Sequence, residues 1–213
     1  MNQTLALPYK DKASILTSEQ HFMKNKIYMF DADGVVIQSQ MFSYKFAQDF
    51  DINISELDGF FKTDFQECLV GKADLKIVIK PWLKKWNWSK SVDEFLDYWF
   101  KAEHNLNFDL IENIRELRKN KRKCILATNQ EKYRLEYMKK EMYFETTFDK
   151  IYSSHFIGFK KPDTEYYRFI LNDLNENPSN IIFYDDRQEN IESAKLLGIN
   201  SYLYNSDLKL TID

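Results

Sequence analysis

Ile27-Tyr28-Met29-Phe30-Asp31-Ala32-Asp33-Gly34-Val35 is the stretch that decides the fold. Its first four residues are apolar or aromatic β-formers and read as a buried strand. Two carboxylates then stand two residues apart at the strand's carboxyl end, with a glycine directly behind them. In an open α/β sheet, that end of a strand is where ligands bind. Clustered acids repel, so such a pair calls for a metal ion or a shared proton. Hard divalent cations of the magnesium type take this kind of oxygen donor. One acid can attack an electrophile while the other handles protons. A solvated acidic turn after a strand would read the same way, so the stretch needs support from elsewhere in the chain.

Three later segments supply it. Cys124-Ile125-Leu126-Ala127 reads as a second buried strand that ends in Thr128-Asn129. A hydroxyl and an amide at a strand tip are donors for a phosphate oxygen, although Thr and Asn also serve as helix N-caps. Lys161-Pro162-Asp163 follows a Gly158-Phe159-Lys160 loop. Lys161 can be a fixed positive charge beside the acids or one surface lysine among many, and Pro162 suits the first turn of a helix. Ile181-Ile182-Phe183-Tyr184 is a third apolar run, closed by Asp185-Asp186-Arg187-Gln188-Glu189-Asn190. An N-cap role accounts for one of these two acids, not readily for both.

The order of the four segments resembles the haloacid dehalogenase superfamily over roughly residues 27–204. The resemblance rests on Asp31-x-Asp33-Gly34, Thr128 at a strand end, Lys161 before Pro162, and the Asp185-Asp186 pair. It implies an α/β fold, a Rossmann-like parallel sheet with an inserted α-helical cap. It also implies Mg²⁺ as cofactor. Asp31 and Asp33 are the catalytic pair by this resemblance, with Asp31 as nucleophile and Asp33 as acid and base. Thr128, Asn129 and Lys161 bind phosphate. Metal binding falls to Asp31, Asp33 through its backbone carbonyl, and Asp186, with Asp185 a ligand or a neighbour of one. Asn190, where some relatives carry an aspartate, is expected to orient Lys161 or a loop. Dehalogenases of the family lack the second acid of the first motif, so Asp33 argues for phosphoryl chemistry. The form Asp185-Asp186-Arg187, with Ala194 and Gly198 nearby, looks like the small-molecule phosphatase branch.

The composition agrees with a folded enzyme. A chain of 213 residues suits one core domain with an insertion. A hydrophobic share of 44% excludes general disorder. A net charge of −3 gives no basic footprint for nucleic acid. The cysteines Cys68 and Cys124 make no disulfide framework, which fits a cytoplasmic protein. No stretch approaches the roughly 20 apolar residues of a membrane span, and residues 1–25 lack the pattern of a secretory signal. The expected partner is a small phosphorylated metabolite, and the expected assembly is a monomer or homodimer.

Three regions follow along the chain. Residues 1–25 have no firm period and read as an N-terminal extension. Residues 26–38 and 107–213 form the core by alternation of strand and helix, which implies a parallel sheet. Residues 39–106 are the cap. There Leu75, Val78, Ile79, Trp82, Leu83 and Trp86, then Val92, Phe95, Leu96, Trp99 and Phe100, follow helical spacing and read as packing. Side chains near Gly71-Lys72 and Trp82-Trp88 are candidates for the wall that reads the leaving group. The rival readings are a phosphomutase on the same scaffold and a non-enzymatic binding protein. A signalling receiver domain also uses acids, a Thr and a Lys-Pro, but it lacks the long helical stretch, and its phosphorylated aspartate follows a later strand than its acidic pair.

Overall fold

Residues 26–205 are described by the computed structural model. The expectation for residues 1–25 lies outside them. Five parallel strands form one sheet: β1 (Ile27–Phe30), β2 (Lys123–Thr128), β3 (Lys150–Ser153), β4 (Ile181–Asp185) and β5 (Asn200–Leu203), in the order β3-β2-β1-β4-β5. The sheet is the expected Rossmann-like α/β arrangement. The chain leaves β1 in one direction for β2 and β3 and returns to its other side for β4 and β5. The gap between β1 and β4 is therefore the point where the strand order reverses, the usual ligand crevice of such sheets.

Strand alternation explains why these apolar runs are buried on both sides. Tyr28 and Phe30 pack into one core with Cys124, Leu126, Ile182 and Tyr184. Ile27 and Met29 pack into the other with Ile125, Ala127, Ile181 and Phe183. Successive strand residues face opposite ways, so a strand covered on both faces must be apolar throughout. Each fully buried aromatic or aliphatic side chain contributes about 1.5–3 kcal/mol. Both thiols are buried and unpaired, and burial first of all pushes each up to about 12.

Over residues 39–106 the chain makes six helices: α1 (Phe42–Phe50), α2 (Ile54–Phe61), α3 (Asp64–Leu69), α4 (Leu75–Val78), α5 (Lys80–Lys85) and α6 (Val92–Ala102). They share an aromatic core of their own that includes Phe42, Phe46, Phe60, Trp86, Phe95 and Trp99. The stripe over residues 75–86 is two helices, not one, with Pro81 at the start of the second. A proline lacks the N–H that a continuous helix would need there. Trp82, Trp86 and Trp88 belong to this core, which is the packing alternative for that segment. A capping box of Ser91 and Glu94 opens α6. The two chain crossings run side by side. Ile37 bridges Leu106 in antiparallel fashion, the Gln38 N–H donates to the Asn105 carbonyl at 2.8 Å, and the Asn105 amide returns a bond to Gln38 at 2.7 Å.

The remaining helices cover the sheet: α7 (Phe108–Lys119), α8 (Lys132–Lys140), α9 (Phe144–Thr147), α10 (Ser154–Ile157), α11 (Thr164–Leu174) and α12 (Gln188–Leu196). One correction concerns Pro162. It does not occupy the first turn of α11; Asp163 is that helix's N-cap, accepting from the Glu165 N–H at 2.9 Å, and Pro162 precedes it. Among the described residues, no helix is long and apolar enough to cross a membrane.

Candidate active site

The tips of β1, β2 and β4 meet at one crevice. Asp31 follows β1 directly, and its N–H donates to the Tyr184 carbonyl at 2.9 Å, so its backbone is locked to β4. Its Oδ1 accepts from the Ala32 N–H at 2.6 Å and lies 2.7 Å from the Lys161 ammonium. Lys161 is buried, 2.7 Å from Asp185 Oδ2 as well. A single ammonium thus sits between two carboxylates from neighbouring strands. Asp186 stands beside them at the solvent edge, and one ligand-type oxygen from each of Asp31, Asp185 and Asp186 lies within 4.8 Å of the others.

The electrostatics follow from counting charges, since three carboxylates face one ammonium. Burial pushes the Asp31 carboxyl well above its ordinary range; Lys161 pulls it back, and Asp185 pushes it further. Partial burial and then Asp185 raise Asp186 too. Burial also works on Asp185, but Lys161 outweighs it and holds that carboxyl below its usual value. Asp185 is further committed to its neighbours. It accepts from Asn190 Nδ2 at 2.9 and 3.0 Å and from the Arg187 N–H at 2.9 Å. Asn190 therefore orients Asp185, not Lys161. An uncompensated negative cluster of hard oxygens fits a divalent cation of the magnesium type, which takes one or two carboxylates plus water and phosphate oxygens. Asp31 and Asp186 are the members best suited to hold it, with Asp185 supporting from behind.

Gly34 is built into this cluster. Its φ is +81°, and a Cβ there would stand 2.2 Å from Asp186 Oδ2. Gly34→Ala is therefore expected to cost about 1–2 kcal/mol through left-handed strain and to displace the Asp186 carboxylate. A thermal melt and a Mg²⁺ titration check this. A variant with wild-type values in both would show that the close approach is not needed.

The other residues named from the sequence fall as follows. Thr128 is buried at the end of β2. Asn129 lies next to it, and both ends of its amide are taken by Lys161: Nδ2 donates to the Lys161 carbonyl and Oδ1 accepts from the Lys161 N–H, each at 2.9 Å. In this arrangement the side chain places the lysine. Lys160, one residue earlier, turns the other way and donates to Gln66 on the insertion.

Asp33 is brought to the crevice but points to a different partner. Arg134 grips it with two bonds, Nη1 to Oδ2 at 2.9 Å and Nη2 to Oδ1 at 2.8 Å, and Gln130 Nε2 donates to Oδ2 at 2.5 Å. Burial opposes ionisation of Asp33, but the guanidinium outweighs it and holds the carboxyl below its ordinary range. The sequence reading named neither Gln130 nor Arg134. A glutamine after a strand tip and an arginine on a helix carry no periodic signal. The one available sign was an arginine at a helix position flanked by Tyr133 and Leu135, which are partly or fully buried.

Comparison with known proteins extends this geometry. A sesquiterpene phosphatase of Aspergillus oryzae is 36% identical over 61 residues, 28% of this chain and 31% of that protein. A drimenol cyclase of Aspergillus calidoustus is 39% identical over 59 residues, 28% of this chain and 11% of that protein. The chain thus matches less than a third of the length of these curated relatives. A haloacid dehalogenase family enzyme of Bacteroides thetaiotaomicron, crystallised with magnesium and inorganic phosphate, has the same fold at a TM-score of 0.75 and 18% identity, over 87% of this chain and 97% of that one. The family model described as haloacid dehalogenase-like hydrolase matches residues 28–204, and the chain belongs to that family.

Proposed function

We propose that the protein is a Mg²⁺-dependent phosphatase that hydrolyses a small phosphorylated metabolite through an aspartyl-phosphate on Asp31. The observation that carries the reading is the pairing at the tip of β1. Asp31 is fixed by Lys161 and the Ala32 N–H, and a second carboxylate, Asp33, is held two residues away by separate donors. A dehalogenase needs only the first. In this reading an Asp31 oxygen attacks phosphorus in line, the phosphorus–oxygen bond to the leaving group breaks, and Asp33, ionised at rest, passes to that alkoxide a proton that it takes from the substrate's monoanionic phosphate. Asp33 then takes a proton from water, which attacks phosphorus and releases Asp31. Acid–base help of this kind is worth about 10²–10⁴ in rate. Lys161 offsets charge on Asp31 and the transferring group, and Thr128 binds a phosphate oxygen. A bound Mg²⁺ stabilises charge on the transferring oxygens. Residues 39–106 act as a cap that reads the leaving group.

Phosphate release from a panel of monoesters, with Mg²⁺ and with chelator, tests the reading. The panel takes sugar phosphates, nucleotides and prenyl monophosphates, the last because one relative is named for a sesquiterpene. Release that needs Mg²⁺, together with an acid-trapped phosphopeptide containing Asp31, supports it. No release from any ester, or release unaffected by chelator, overturns it, and transfer to a second hydroxyl of the substrate favours a mutase. Asp186→Ala is expected to raise the half-saturating Mg²⁺ concentration by at least about tenfold. An unchanged titration would move the ligand role to Asp185.

A further inference from the structure

Arg134 is the buried charge for which the proposed chemistry has no use. It lies in the first turn of α8 with its side chain 6% exposed. Its N–H is held at 2.5 Å by the Glu131 carboxylate, the N-cap of that helix. Burying a guanidinium costs several kcal/mol unless it is well paired. Two carboxylates share it. The two terminal nitrogens form a fork on Asp33, while Nε has no acceptor among the described residues.

The same guanidinium reaches the insertion. Arg134 Nη2 lies 3.1 Å from Glu103 Oε2. Glu103 directly follows α6, where the chain leaves the insertion. Its Oε2 accepts from Trp99 Nε1 at 3.0 Å, and its Oε1 accepts from the Phe42 N–H at 2.9 Å, where the chain enters α1. One carboxylate therefore joins the entry and exit of the insertion, and one arginine joins that carboxylate to Asp33. A planar fork fixes the plane of a carboxylate as well as its position, which a lysine's point charge does not.

We propose that Arg134 is a positioning residue for Asp33: it fixes the carboxylate plane for proton transfer and ties that plane to both crossings of the helical insertion. The inference rests on the phosphatase reading above and adds to it a residue that never touches the substrate. It has a consequence that a purely structural ion pair lacks. An orienting role matters only where the leaving group must receive a proton.

The test uses the full chain, saturating Mg²⁺ and two esters of similar size, 2-phenylethyl phosphate and p-nitrophenyl phosphate. The first leaves as an alkoxide that needs a proton; the second leaves as a stable anion. The quantity read is kcat/KM, which covers the steps up to departure of the leaving group. Arg134→Met is expected to lower it by about 100-fold or more for the alkyl ester, the range of general acid catalysis, and by less than about tenfold for the aryl ester. Arg134→Lys keeps a buried charge and is expected to show the same selectivity, so it decides the question if the Met variant does not fold. Equal losses on both esters, no loss on either, or a fully active Arg134→Lys would overturn the inference while leaving the phosphatase reading intact. A wild-type protein that hydrolyses neither these esters nor any of the panel overturns both.

Discussion

Asp31→Asn yields a folded protein with no turnover. The substitution is nearly isosteric, and the new amide oxygen can still accept from the Ala32 N–H and Lys161, the two donors on Oδ1. What it removes is the nucleophilic carboxylate. Loss of a nucleophile of this kind reduces turnover by more than about 10⁴-fold. Stability should move the other way when no metal is bound. Burial holds the Asp31 carboxyl well above its ordinary range, despite Lys161. Burying this carboxyl therefore weakens the metal-free fold at pH values above the ordinary carboxylate range, because the unfolded chain carries the charge more easily. A neutral asparagine removes the conflict, and the melting midpoint in chelator should equal or exceed that of the wild type. Phosphate release and paired melts, with and without chelator, measure both effects. A pure variant that keeps more than a few per cent of the wild-type rate would remove Asp31 from the nucleophile's role.

Lys161→Ala is the second large effect, and it acts on stability and activity together. The ammonium lies between Asp31 Oδ1 and Asp185 Oδ2, 2.7 Å from each, with its side chain 1% exposed. Removing it leaves two buried acids facing each other. Loss of one partner from a buried ion pair costs about 3–5 kcal/mol. Loss of a fixed charge on the transferring group costs about 10²–10³ in rate. Added Mg²⁺ should recover more stability in this variant than in the wild type, since a cation that binds only the native state supplies the missing charge. The neighbouring change, Lys160→Ala, removes only a bond to Gln66 on the insertion, and its cost should stay within about 1 kcal/mol. A Lys161→Ala protein as stable and active as Lys160→Ala would assign the central charge wrongly.

The sheet was legible because its signal is local. Three apolar runs, over residues 27–30, 124–127 and 181–184, end in chemistry-bearing residues, and a strand buried on both faces has little choice but to be apolar. Pro81 and Pro162 were harder. Each marks a break, but sequence alone did not say on which side the helix resumes. At the site, the acids and Lys161 announced themselves by position after a strand or before a proline. Gln130, Glu103 and Arg134 did not, and Asn129 was expected to bind phosphate, not to hold the Lys161 backbone. Their roles depend on partners far away in the chain: Lys161 for Asn129, and Asp33 for both Gln130 and Arg134. A polar residue on a helix or in a loop reads as solvated until its partner is known. Arg134 and Glu103 are the clearest case, because the ordinary fate of a charged side chain is the surface.

The strand order has a consequence for how the site comes into being. β1 is the central strand, yet it is the first of the described strands to be made, and it pairs on one side with β2 and on the other with β4, which lies near the far end of the described chain. Neither half of the chain holds a working constellation. A nascent chain that ends after β3 has Asp31 and Asp33 but no Asp185 or Asp186, so the three-carboxylate cluster proposed to gather a cation does not exist in it. Such non-local pairings are slow to form because loop closure comes before any contact rewards it. Under the proposed function, recovery of catalysis on refolding should therefore coincide with the final cooperative step, and partly assembled forms should be inert, so that no unselective centre forms along the way.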